Sequence, residues 1–230
     1  MLKKFILSAF ALTLPLMGAF AQENAQIKFS VLGDSYSTFK GIIPAENATW
    51  YPTDRNDVKE PEQTWWGLIE QRLGWKLEMN NSFSGSTVCY SGYAINGNPR
   101  LDMTKSSFIT RACDLGFPDY ILVCGATNDS WAHVPMGDFK FKKWTKEDLY
   151  FFRPAMAKMC EELVTLYPEA KVVFILNNDL SDEVDESVHK ICKHYKIQCV
   201  DLVAIDRQAG NPSILGMDQI ATQVIEALGL

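Results

Sequence analysis

Short apolar runs of strand length alternate with longer capped segments along this chain, and that alternation constrains its fold more than any other feature. Ile27 to Gly33 reads as a strand and leads into a long polar and aromatic loop, 36–60. A helix is expected from about Glu62 to Leu73, with Pro61 as its starter and Gly74 as its C-cap. A strand over 75–80 follows, then a segment rich in Ser, Gly, Asn and Thr over 84–117. Pro118 precedes a strand at 120–124. Thr145 opens Thr-Lys-Glu-Asp, an N-cap with acidic first-turn residues, and starts a helix to about Tyr167 that Arg153-Pro154 splits or kinks. A strand at 171–176, a helix at 181–195, a strand at 198–203 and a closing helix at 216–228 complete the order. Strands separated by helices pair in parallel through right-handed crossovers and bury both sheet faces. The expected fold is a three-layer α/β/α sandwich with a mostly parallel, flavodoxin-like sheet of about five strands.

Residues 1–21 have the form of a secretory signal: Lys3 and Lys4, an apolar stretch from Phe5 to Phe20, and Ala19-Phe20-Ala21 as the cleavage site. The expectation is an exported protein, periplasmic or secreted, with residues 22–230 as one domain. No later apolar run approaches membrane-spanning length, so no membrane partner is expected after cleavage. The formal net charge of −6 becomes more negative once Lys3 and Lys4 are removed. That balance argues against nucleic acid and anionic membrane surfaces as partners.

All six cysteines lie beyond the signal segment: Cys89, Cys113, Cys124, Cys160, Cys192 and Cys199. An oxidising compartment permits disulfides, and six thiols allow 15 full pairings. Cys124 sits inside a core strand and reads as a buried thiol. Cys192 and Cys199 lie on adjacent elements, and Cys89 and Cys113 bracket one loop region, so two bridges are open. There is no Cys-x-x-Cys, and His189 and His194 fall on different helix faces, so neither a metal site nor a cofactor is expected.

Three polar motifs follow three strands. Gly33-Asp34-Ser35-Tyr36-Ser37 closes the first, Asn81-Ser82-Phe83-Ser84-Gly85-Ser86-Thr87 the second, and Gly125-Ala126-Thr127-Asn128-Asp129 the third. The carboxyl ends of parallel strands form one edge, where open α/β sheets bind ligands. In order and context these motifs resemble the SGNH (GDSL-type) ester hydrolases, over essentially all of the chain after residue 21. The resemblance implies that Ser35 is the nucleophile and that the Ser35 N–H, the Gly85 N–H and the Asn128 amide form an oxyanion hole.

The fourth motif departs from that pattern. Family members carry an Asp-x-x-His or similar segment before the final helix. Here the chain reads Asp206-Arg207-Gln208-Ala209-Gly210-Asn211-Pro212-Ser213-Ile214-Leu215-Gly216-Met217. The Pro, Gly-Met and Ile-Ala landmarks align and place Asn211 at the histidine position, with Asp206 a loose match to the acid. An amide nitrogen is not basic and cannot take the serine proton. Losing the histidine of such a triad costs about 10⁶-fold in turnover in a well-studied case, leaving roughly 10³–10⁴ over water.

Only three histidines are available as substitutes. His189 and His194 belong to a helix remote from the strand ends. His133 follows Asn128 by five residues on the same loop, and an imidazole titrating near 6.5 suits a general base. Asp34 and Asp129 suit Asx-type hydrogen bonds that orient loops, and Asp34, Tyr36 and Trp131 are the candidate substrate contacts. Trp50, Tyr51, Tyr90, Tyr93 and Trp131 lie in the loops around Ser35, where rings either stack on sugar faces or pack the loops down. Trp65 and Trp66 read as core. Two functions follow from this pattern: hydrolysis of a small ester, with an acylated carbohydrate as substrate, or binding of acylated glycans without turnover.

Overall fold

The computed structural model describes residues 26–95 and 100–230; the signal segment, 1–21, lies outside them. Five strands, β1 (Lys28–Gly33), β2 (Lys76–Asn80), β3 (Tyr120–Gly125), β4 (Lys171–Leu176) and β5 (Gln198–Asp201), form one sheet in the order β2-β1-β3-β4-β5. Every pairing is parallel. The three central strands are buried over nearly their whole length, as Val, Ile and Leu runs covered on both faces must be.

Helices α2 (Phe108–Arg111), α4 (Phe152–Leu166) and α5 (Asp182–Tyr195) cover one face, contributing Phe108, Phe152, Met156, Leu163, Val188 and Ile191 to its core. Helices α1 (Trp65–Leu73) and α6 (Ile214–Leu228) cover the other, where Trp65, Trp66, Ile69, Met217, Ile220 and Val224 pack. This is the three-layer sandwich expected from the alternation. Among the described residues no helix is long and apolar enough to cross a membrane.

Element boundaries move where cap chemistry decides them. Pro61–Gln63 forms its own 3-10 turn, and Thr64 caps α1 by accepting the Gly67 N–H. The helix expected from Thr145 is divided: Glu147–Tyr150 is a 3-10 turn and α4 begins at Phe152. Pro154 therefore sits in the first turn of α4, where its missing N–H costs no hydrogen bond, instead of kinking a longer helix. Ser213 caps α6 by accepting the Gly216 N–H, so that helix begins at Ile214. The short helix α3 (Thr127–Trp131) and a hairpin of β6 (Arg207–Gln208) with β7 (Asn211–Pro212) carry no periodic signal in sequence.

All six cysteines are free thiols, and neither candidate bridge is formed. Cys124 is buried in β3, as expected of a core strand.

Candidate active site

Ser35 stands on a tight 3-10 turn, Ser35–Ser37, directly after β1. Asp34 caps the turn, its Oδ1 accepting the Tyr36 N–H at 3.0 Å while Ser37 N–H donates to Asp34 O at 3.1 Å. Gly33 is required by close approach, because a Cβ there would lie 2.4 Å from Ser37 Oγ and 2.7 Å from Ser82 Oγ. Trp66 Nε1 and Asn80 Nδ2 each donate to Ser37 O at 2.9 Å and hold the turn from below. Asp34 and Tyr36, the expected substrate contacts, are 1% and 0% exposed. Tyr36 Oη accepts from Arg207 Nε at 2.8 Å and from Asn177 Nδ2 at 3.2 Å, and donates to Gly210 O at 3.3 Å.

The second motif is fastened to the first by Phe83 N–H, which donates to Gly33 O at 3.0 Å. Gly85 then occupies a turn closed by Ser86 N–H to Phe83 O, with φ of +81°, a conformation suited to glycine. Its own N–H has no intramolecular acceptor among the described residues.

The third motif follows β3. Gly125 passes the Phe108 ring so closely that a Cβ would lie 2.5 Å from it. Ala126 adopts φ of +70° at the elbow into α3, a strained choice for a residue with a side chain. The elbow presents Asn128, whose Nδ2 donates to Ser86 O at 3.0 Å and whose Oδ1 accepts from Tyr93 Oη at 2.7 Å. Both amide ends are thereby assigned, and one Nδ2 hydrogen is left for a further acceptor. Asp129 holds the second and third motifs together by accepting the Val88 N–H at 2.8 Å and the Cys89 N–H at 3.4 Å.

A buried cation completes the frame. Arg111 is 6% exposed and donates to Asn81 O, to Ser86 Oγ at 2.8 Å and to Ser106 O at 2.9 Å. Burial lowers its pKa to about 9. Burial likewise pushes the carboxyls of Asp34 and Asp129 up to about 7, against the backbone N–H groups that favour their charged forms.

Asn211 arrives from the opposite side on β7, which packs against the Ser35–Ser37 turn. Its backbone is pinned by Asn56 Nδ2, which also reaches the carbonyls of Gln208 and Pro212. Its side-chain Oδ1 is buried with no hydrogen-bond partner, as is Asp34 Oδ2. Asp206 is engaged elsewhere: its carboxylate accepts from Ser213 Oγ at the start of α6. His133 is exposed and lines a small cavity with Asp129, Ser130, Met136, Ser181 and Glu183 that includes none of Ser35, Gly85 and Asn128. His194 stacks on Phe141 and His189 bonds to carboxylates on α5 and β5, both away from the Ser35 turn.

The loop aromatics divide. Tyr51 is fully buried and donates to Pro212 O at 2.7 Å, so it packs a loop down. Trp131 is 42% exposed and stands edge-on to Tyr36 with ring centres 6.5 Å apart. Arg111, Asn177 and Arg207 were not singled out by sequence reasoning, and Tyr93 was singled out only as a loop aromatic, not as a partner of Asn128. Each acts across a separation of 25 residues or more, at which no local pattern exists.

A serine at a strand end, a glycine turn and an oriented asparagine amide lie on one edge of a parallel sheet. A model of the GDSL-like lipase/acylhydrolase family matches residues 27–228. The chain belongs to that family, whose members are hydrolases acting on esters.

A GDSL-like lipase-family structure from Bacteroides ovatus is 45% identical, with a TM-score of 0.86, over 89% of this chain and 99% of that one. One from Bacteroides uniformis is 47% identical, with a TM-score of 0.86, over 90% of this chain and 97% of that one. A family two carbohydrate esterase from Clostridium thermocellum, solved with cellohexaose, shares the fold at 16% identity, with a TM-score of 0.55 over 88% of this chain and 65% of that one. No curated protein matches the chain.

Proposed function

We propose that this chain is an exported serine ester hydrolase acting on small acyl groups, acetyl-type esters on carbohydrate, with turnover limited by Asn211. The observation that carries the reading is the Asn128 amide, which donates to Ser86 O and accepts from Tyr93 Oη, leaving one Nδ2 hydrogen for a further acceptor, on the same sheet edge as the Ser35 turn. Ser35 Oγ attacks the ester carbonyl carbon, and the developing oxyanion is met by the N–H groups of Ser35 and Gly85 and by Asn128 Nδ2. One such donor is worth about 3–4 kcal/mol in the transition state. The exposed ring of Trp131 beside the site supports a sugar as the alcohol moiety, as does a fold shared with carbohydrate esterases.

A second reading rests on the buried, unpartnered Asn211 Oδ1. An amide there accepts a hydrogen bond but takes no proton, which suits a pocket that binds acylated glycans without cleaving them. Hydrolysis of a short-chain aryl ester by residues 22–230, beside Ser35→Ala, separates the two. Turnover lost with Ser35 supports the hydrolase. Equal background rates in both, together with retained affinity for acetylated oligosaccharides, support the binding protein.

A further inference from the structure

Well away from Ser35, the edge strand β5 and the helix α5 bring together an imidazole, a thiol and a carboxylate. We propose that His189, Cys199 and Asp201 form a binding site for a divalent transition-metal ion of zinc type. Among the described residues this is the one group of three or more His, Cys, Asp or Glu side chains close enough to share an ion. β5 lies three strands from β1 in the sheet order, roughly 14 Å at the usual strand spacing. The site is therefore distinct from the esterase centre.

Three features argue for an ion there. The first is spacing. Cys199 and Asp201 are two residues apart on a strand and share a face, the face on which α5 packs. His189 Nε2 lies 2.9 Å from Asp201 Oδ1, and Cys199 Sγ lies 3.8 Å from the same oxygen. All three ligand atoms fall within 4.8 Å of one another. A tetrahedral zinc with bonds of about 2.0–2.3 Å separates its ligands by roughly 3.3–3.6 Å. The observed spacings bracket that value, so side-chain adjustment alone closes the site.

The second is orientation. His189 Nδ1 is fixed from behind by Asp185, one helical turn earlier, through its backbone O at 3.0 Å and its carboxylate at 2.9 Å. A carboxylate on the far ring nitrogen sets the tautomer that a metal-bound imidazole needs and raises its basicity.

The third is access and donor type. His189 and Asp201 side chains are 41% and 59% exposed, which leaves an entry path and room for water as a fourth ligand. A mixed N, S and O donor set suits zinc and its neighbours in the first row, and not calcium or magnesium. Binding displaces the proton that His189 Nε2 now shares with Asp201, and the Cys199 thiol proton.

One local reaction competes. The Cys192 thiol, one turn beyond His189, lies against those of Cys160 and Cys199, and a Cys192–Cys199 disulfide would remove the sulfur ligand.

The test uses the full exported domain, treated with chelator and then titrated with Zn²⁺ by calorimetry and with Co²⁺ by absorbance. The expected result is one equivalent bound, with a thiolate-to-cobalt charge-transfer band in the near ultraviolet. Cys199→Ser should abolish the band and weaken Zn²⁺ binding at least tenfold. Asp185→Asn, which touches no ion, should weaken it about 10–100-fold, as loss of an outer carboxylate does. His189→Gln serves as an independent ligand deletion if the cysteine variant misfolds. Zn²⁺ affinity unchanged in both ligand variants would overturn the proposal. So would native protein with four titratable thiols and a mapped Cys192–Cys199 bridge.

Discussion

Under the proposed hydrolase reading, histidine at position 211 would supply the general base, and the surroundings of Asn211 bound how large the gain can be. Asn211 is 6% exposed on a strand packed against the Ser35 turn, and its buried Oδ1 already lacks a partner. Replacing the amide therefore breaks no side-chain hydrogen bond to it. In a well-studied serine hydrolase, loss of the histidine costs about 2 × 10⁶ in turnover, and loss of the aspartate that orients it about 3 × 10⁴. An imidazole at 211 has no orienting carboxylate three residues earlier, since Gln208 stands there with its side chain bonded to Asp57. Asp206 is occupied by Ser213. The gain is then the ratio of those two losses, on the order of 10²-fold. The assay is aryl-acetate hydrolysis by Asn211→His, by the same variant carrying Ser35→Ala, and by the parent, with circular dichroism to confirm folding. A rise near 10² that vanishes with Ser35 is expected, and adding Gln208→Asp should raise it further. A folded Asn211→His with no serine-dependent gain would refute the placement of residue 211 beside the nucleophile.

Tyr93→Phe removes the hydroxyl that orients Asn128; in the Asn211→His background, kcat should fall about tenfold with KM nearly unchanged, measured on the same ester. Arg111→Ala strips a buried guanidinium from Asn81 O, Ser86 Oγ and Ser106 O, and should lower stability by roughly 3 kcal/mol or more in urea melts. Gly125→Ala should cost about 1–3 kcal/mol by the same measurement, because its Cβ would lie 2.5 Å from the Phe108 ring. The carboxyl of Asp34 titrates near 7 in the fold and near 3.8 unfolded, so the native state binds more protons across that window. The stability contributed by this group should thus be full at about pH 4 and decline between about pH 4 and 7, by up to about 4 kcal/mol. Asp34→Asn keeps the Tyr36 N–H acceptor and should reduce the decline in urea melts between pH 4.5 and 7, the remainder coming from Asp129, whose carboxyl burial also pushes up to about 7; an unchanged slope would show that Asp34 is ionised in the native protein.

Much of the fold was legible because strands and helices announce themselves locally. The apolar runs at Phe29–Leu32, Ile121–Cys124 and Val172–Leu176 have the length and composition of doubly covered strands, and they pair in parallel as that pattern requires. The convergence of Ser35, Gly85 and Asn128, the residues of the proposed site, was legible for a related reason: each follows a strand, and topology alone carries strand ends to a common edge. The division at Phe152 and the β6–β7 hairpin were not legible, since caps and a two-residue turn at Ala209-Gly210 decide them over a few atoms.

What the sequence determined by itself is the order of elements and the layer architecture. Those depend on periodicity and on near neighbours in the chain. The tertiary structure alone decided that Asp34 and Tyr36 are buried in the frame of the Ser35 turn, and that Tyr93 and Arg111 orient the second and third motifs. It alone set His189 against Cys199 and Asp201, where the sequence showed only two histidines on different faces and no Cys-x-x-Cys. These outcomes rest on hydrogen bonds and burial between residues far apart in the chain, and they exist only once the sheet has closed against its helices.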